Sequence, residues 1–195
     1  MNMADASGAT SSRRQRKSWK TALFAVLALT SWSSACNDQR QGDPELELPA
    51  LRLTLPADWQ RETPSSAMRA AQARVPGPDG GAELTVFHFG EGKGGSVAEN
   101  LQRWVDQMEF APGASTRREE LSIHGFTVYW VDFAGTLKAG TMGMGPAEPL
   151  ADARMLGAIV EGPGGPWYFK LVGPSSAVGP QREAFLRMLE TIRTR

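Results

Sequence analysis

The chain has 195 residues, with 21 basic and 21 acidic side chains and a single cysteine. A formal net charge of zero leaves no cationic surplus to neutralise phosphates, which argues against nucleic-acid binding. One cysteine rules out a disulfide framework, and the length suits one domain with one hydrophobic core.

Residues 1–35 read as an export signal. Arg13, Arg14, Arg16, Lys17 and Lys20 precede the apolar run Leu23-Phe24-Ala25-Val26-Leu27-Ala28-Leu29. Positive charge stays on the cytoplasmic side while a short apolar helix enters the membrane. The run is shorter than the ~20 residues of a spanning helix, which argues against a retained anchor. Ser33-Ser34-Ala35 then leads to Cys36. This order resembles bacterial lipoprotein signal peptides. The resemblance implies cleavage between Ala35 and Cys36 and acylation of Cys36 by chains such as palmitate. Lipidation would consume a thiol that is otherwise a liability in an exported protein. The expected location is the cell envelope, lipid-anchored and facing the periplasm or exterior. Ser33-x-Ala35 also suits ordinary signal peptidase, which would release a secreted, soluble protein.

Residues 36–50 are polar, with Gly42, Asp43-Pro44, Glu45 and Glu47, and predict a flexible tether. A single domain is then expected over 51–195. Five of the basic residues lie before Cys36 against one acidic residue, so the part from Cys36 onward carries a net charge of −4.

Leu51 to Leu55 alternates apolar and polar, as a half-buried strand does. Pro56 stops it, and Trp59 falls in a turn. Met68–Val75 and Glu83–Phe89 predict two more strands, the latter apolar on both faces. The glycine-rich stretch 90–95 feeds a helix from Ser96, where Ser96 and Glu99 form a capping box. Val97, Leu101, Trp104, Val105 and Met108 make its apolar stripe. Arg117–Ile123 and Phe126–Leu137 predict a hairpin about His124-Gly125. Residues 139–153 read as a loop. Met155–Glu161 and Trp167–Val172 form a second hairpin. A last helix follows Gly179-Pro180, with Phe185, Met188, Leu189 and Ile192 buried. The order β-β-β-α-β-β-β-β-α predicts an α+β fold, an antiparallel sheet of about six or seven strands flanked by two main helices.

Candidate chemistry is sparse. Gly90, Gly92 and Gly95 match G-x-G-x-x-G between a strand and a helix, but the surrounding antiparallel run is the wrong setting for a dinucleotide site. His88 reads as a structural residue and His124 as a solvated hairpin tip. Asp132 sits in a strand that predicts its burial, with a cross-strand partner. No serine lies in a G-x-S-x-G elbow. Met142-Gly143-Met144 carries thioethers of the kind that favour soft metals, and also suits gap filling. Trp104, Trp130, Trp167, Tyr168 and Phe169 read as core. No catalytic, cofactor or metal residue is assigned.

Leu55-Pro56-x-x-Trp59, the helix after the first strands, the four-strand return through Gly125 and the final helix after Lys170-Leu171-Val172-Gly173-Pro174 together resemble the PsbP-like fold, which includes the DcrB-type envelope lipoproteins. The resemblance spans most of 51–195. It implies a non-catalytic accessory or binding role, with the membrane engaged through lipidated Cys36 and an envelope protein as partner. The alternative is a periplasmic protein that binds a small ligand or metal through the 139–153 loop. An exposed apolar patch would mark the first, and a concave pocket with a few converging polar groups the second.

Overall fold

The computed structural model describes residues 44–114, 116–140 and 146–195. The expectations for the signal peptide, Ala35, Cys36, Met142 and Met144 lie outside the described residues.

The elements run β1 (Glu45–Glu47), β2 (Leu51–Thr54), β3 (Gln60–Glu62), β4 (Arg69–Val75), β5 (Ala82–His88), α1 (Val97–Asp106), β6 (Met108–Glu109), β7 (Thr116–Ile123), β8 (Phe126–Leu137), β9 (Leu150–Gly162), β10 (Gly165–Pro174), α2 (Ser175–Val178), α3 (Arg182–Glu190) and β11 (Arg193–Thr194). The main sheet has the order β3-β4-β5-β10-β9-β8. The far edge of β8 is shared by β7 and, beyond it, β6. A small sheet, β1-β2-β11, forms a separate ladder. The pairings are antiparallel.

The α+β, antiparallel expectation describes this architecture, but the strand count needs correction. The main sheet has eight strands rather than six or seven, and three more form the small sheet. The added strands are two or three residues long, too short for a hydrophobic period to show. The tether is also corrected. Residues 45–47 form β1, and Leu46 and Leu48 are buried. Two leucines spaced by Glu47 alternate as a strand does, in a stretch that composition alone marks as polar. The 139–153 loop is shorter than expected, because β9 begins at Leu150. Gly179 takes helical dihedrals, ends α2 and opens the single 3-10 turn between α2 and α3.

Two turns fix the register of the long strands. His124 and Gly125 both take positive φ, 51° and 86°, so that Ile123 faces Phe126. That backbone twist matches the twist of the strands it joins. Pro163-Gly164 similarly closes β9 onto β10 with Gly162 opposite Gly165.

Period-2 alternation then divides the side chains between two cores. Leu84, Val86, Trp130, Leu156, Phe169 and Leu171 pack with the leucines of the small sheet and with Phe185, Met188 and Leu189 of α3. On the opposite face Val131, Phe133, Met155 and Ile159 pack with Trp104, Leu101 and Val105 of α1. The capping box starts α1: Glu99 N–H donates to Ser96 Oγ (3.2 Å), and Ser96 N–H to Glu99 Oε2 (2.7 Å). That Ser96 N–H bond holds the Glu99 carboxyl below its ordinary range. β6 follows α1 within two residues and pairs with β8, which fastens the helix C-terminus to the sheet.

Candidate functional site

Because Trp167, Phe169 and Leu171 of β10 enter the α3-side core, Tyr168, Lys170 and Val172 must project to the α1 side. The same rule sends Glu83, Thr85 and Phe87 of β5 to that side. α1 overlies only part of this face. Between the helix, β4, β5, β10 and the segment that enters β9 lies a cavity of about 360 Å³. That volume falls within the ~300–1,000 Å³ of small-molecule sites. Its apolar lining includes Phe87, Trp104, Leu137, Leu150 and Val172. Met68 and Phe89, the two large hydrophobic side chains well exposed among the described residues, also line it.

The polar groups at this cavity are largely committed to one another. Arg69 Nη1 donates to Glu83 Oε1 (2.9 Å) and to Gln72 Oε1 (2.7 Å). Arg103 Nη1 donates to Asn100 Oδ1 (2.7 Å). Asn100 Nδ2 donates to the Gly94 carbonyl (2.7 Å), to the Ser96 carbonyl (2.9 Å) and weakly to the Tyr168 hydroxyl (3.4 Å). Burial pushes the Tyr168 phenol up.

Lys170 is the exception. Its Nζ donates to Oε1 of Gln107, the residue that caps the C-terminus of α1, and no second acceptor or paired carboxylate meets it among the described residues. Burial pushes its ammonium down to about 8. An ammonium has three donors, so two remain uncommitted, and the donor group of Gln107, its amide nitrogen, has no partner among the described residues. A cation in an apolar cavity with spare donors favours an acceptor of opposite charge.

Sequence reasoning did not single out Lys170. It occurs in the sequence Trp-Tyr-Phe-Lys-Leu-Val, where both faces of the strand are apolar. A lone lysine in a strand covered on both sides is the available signal.

The residues that the sequence did single out are structural. The His88 ring stacks on Trp167 (3.8 Å between centroids, 8° between planes), and its Nδ1 donates to the Pro166 carbonyl (3.1 Å). His124 is more than a solvated tip: its Nε2 donates to the Glu190 carbonyl (2.8 Å), joining the hairpin to the end of α3. In the 90–95 stretch Gly90, Gly92, Gly94 and Gly95 take positive φ, and the Gly94 carbonyl accepts from Asn100. The strand before it is flanked by antiparallel neighbours, so no dinucleotide crossover forms. Trp130, Trp167 and Phe169 are core, whereas Trp104 and Tyr168 serve both core and cavity. Among the described residues no group of three or more His, Cys, Asp or Glu side chains is placed to hold a metal ion.

Asp132 is buried, and Arg154 of the neighbouring strand chelates it through Nε–Oδ1 and Nη2–Oδ2 bonds of 2.7 Å each. The hydrogen bond to Asp132 holds the Arg154 guanidinium pKa above its ordinary value. Arg182 of α3 lies over Trp130 (5.4 Å) and 3.8 Å from Asp132 Oδ2. The cluster therefore ties α3 to the sheet. Asp132→Asn is expected to lower unfolding stability by about 1.5–3 kcal/mol, the range for hydrogen bonds to charged groups. Urea unfolding at pH 7 checks this.

No protein-family model matches the chain, and no curated protein matches it in sequence. Among solved structures it is similar to cyanobacterial PsbP (CyanoP) from Synechocystis sp. PCC 6803, at 12% identity over 74% of this chain and 86% of that one, with a TM-score of 0.48. It is also similar to PA94 of Pseudomonas aeruginosa, a protein of unknown function, at 15% identity over 78% of this chain and 96% of that one, with a TM-score of 0.40. At these scores the likeness is one of general arrangement and assigns no role.

Proposed function

We propose that this protein is a non-enzymatic binding protein of the bacterial cell envelope, anchored through lipidated Cys36, that holds a small molecule in the cavity beneath α1. The observation that carries the ligand-binding part is the cavity itself: about 360 Å³, mainly apolar, with a few polar groups converging on it. It also ranks this reading above protein-partner binding, because the two large exposed hydrophobic side chains among the described residues, Met68 and Phe89, lie at the cavity rather than in a separate patch. The site differs from the one expected of the 139–153 loop alone. That segment contributes Pro146 and Leu150, and the remaining walls are α1 and the sheet. The anchor rests on the sequence from Arg13 to Cys36.

Native mass spectrometry of the protein extracted from its own host's membranes tests both parts. The expected species begins at Cys36, carries acyl chains and retains a small molecule that is lost on denaturation. Extraction with the cavity empty would overturn the ligand reading. An unmodified Cys36 would overturn the anchor. Cys36→Ser is correspondingly expected to move the protein from the membrane fraction to the soluble fraction, and unchanged fractionation would contradict the lipid assignment.

A further inference from the structure

We infer that the cavity beneath α1 takes an amphipathic carboxylate, whose head group is received by Lys170 Nζ and the Gln107 side-chain amide and whose apolar body lies against Phe87, Trp104, Leu150 and Val172. This rests on the ligand-binding reading above and specifies its chemistry.

Charge selects the head group. The cavity lining holds three cations, Arg69, Arg103 and Lys170, and one carboxylate, Glu83. Arg69 already pairs with Glu83, and Arg103 bonds to Asn100 at the surface of α1. Arg103, like Lys170, pairs with no carboxylate among the described residues, but it is exposed, whereas Lys170 is half-buried beneath the helix end with Gln107 as its partner. The sequence of residues 141–145, Thr-Met-Gly-Met-Gly, contains no ionisable side chain that could supply one. A half-buried ammonium without a counter-ion bears a desolvation cost that an incoming carboxylate offsets. Gln107 accepts from Lys170 through Oε1, which leaves its amide nitrogen as a donor without a partner among the described residues. One charge and one neutral donor side by side match the two oxygens of a carboxylate. Nothing comparable is provided for a dianion, which would need the two arginines released from their present partners.

The apolar part of the ligand follows from the rest of the wall. Apolar side chains from β5, β10, α1 and the start of β9 surround the lysine, and hydrocarbon against them is removed from water. A free amino acid or a short dicarboxylate would leave that surface wet.

The same arrangement predicts a pH dependence. Lys170 in the empty protein loses its proton near pH 8. Carboxylate affinity should therefore fall as pH rises through that value. The other charged and titratable groups facing the cavity are Arg69 on β4, Glu83 on β5, Arg103 on α1 and Tyr168 on β10.

The test is a titration of the chain from Cys36 onward with decanoate, 1-decanol and decylammonium, followed by calorimetry. Decanoate should bind at least about tenfold more tightly than decanol, the scale of a hydrogen bond to a charged group. Decylammonium should bind most weakly. Lys170→Met should abolish the preference for decanoate over decanol while leaving decanol affinity in place. Equal binding of decanoate and decanol, or a preference that survives in Lys170→Met, would overturn the carboxylate assignment and leave the small-molecule reading standing. Binding of none of the three would overturn both. If Lys170→Met does not fold, Lys170→Arg and the pH profile of the parent carry the test. An affinity for decanoate that is flat from pH 6 to pH 10 would then contradict the role of Lys170.

Discussion

Lys170→Met is expected to make the protein more stable at pH 7, by about 1–3 kcal/mol, while it removes the charge on which the proposed ligand depends. Burial lowers the Lys170 pKa to about 8 in the folded chain, from 10.5 when unperturbed. Below pH 8 the ammonium is charged in both the folded and unfolded chains, and the folded state carries the full desolvation cost. Between about 8 and 10.5 the unfolded chain holds more protons than the folded one, so the stability of the parent protein rises with pH. Methionine has nearly the same reach and no charge, so the variant lacks this dependence. Its advantage should be greatest below pH 8 and should shrink towards pH 10.5. Urea unfolding of parent and variant at pH 7 and pH 10 measures it. An unchanged midpoint at pH 7, or a gain that persists undiminished at pH 10, would mean that Lys170 is not desolvated. Loss of stability tied to a group that binds ligand is a common pattern, because a site arranged for a partner is imperfectly satisfied without one.

The long elements were legible because their side chains carry a period. The capping box Ser96–Glu99 and the stripe Val97, Leu101, Trp104 and Val105 specify α1, and each reappears in the structure. Val128 and Trp130 against Val131 and Phe133 declare a strand covered on both faces, and they do enter different cores. Short strands carry too few residues for that signal. β6 exists because α1 ends beside β8, and β11 because Ile192 is buried behind α3 and brings Arg193 alongside Arg52. Those are tertiary causes. The cavity was illegible for a similar reason. Its walls come from β4, β5, α1, the end of β8, β10 and the entry to β9, and no local pattern announces that these six segments meet at one face of the sheet. Lys170 looked unremarkable in sequence because its meaning depends on the strand being central, flanked by β5 and β9, and on α1 stopping short of covering it.

Gly157→Val should undo both the packing of α1 and the site. Gly157 lies in β9 directly beneath Trp104. A Cβ built there would stand 2.5 Å from Trp104 Cζ3, 2.8 Å from Cε3 and 3.0 Å from Val131 Cγ2. The indole cannot slide along the sheet to relieve this, since Val131 and Met155 belong to the same packed group. It must leave its place, and the loss of a large buried aromatic costs about 3–5 kcal/mol. The helix would lose its anchor with it, and the C-terminus of α1 is capped by Gln107, the partner of Lys170. Urea unfolding should therefore show a large drop in stability, and decanoate affinity should fall together with it. A second substitution separates this contact from a general defect in β9. Trp104→Leu vacates the space that valine enters, so Gly157→Val combined with Trp104→Leu should be less destabilised than the sum of the two single changes. Strict additivity, or a Gly157→Val protein as stable and as competent in binding as the parent, would show that the Gly157–Trp104 contact does not hold the helix over the cavity.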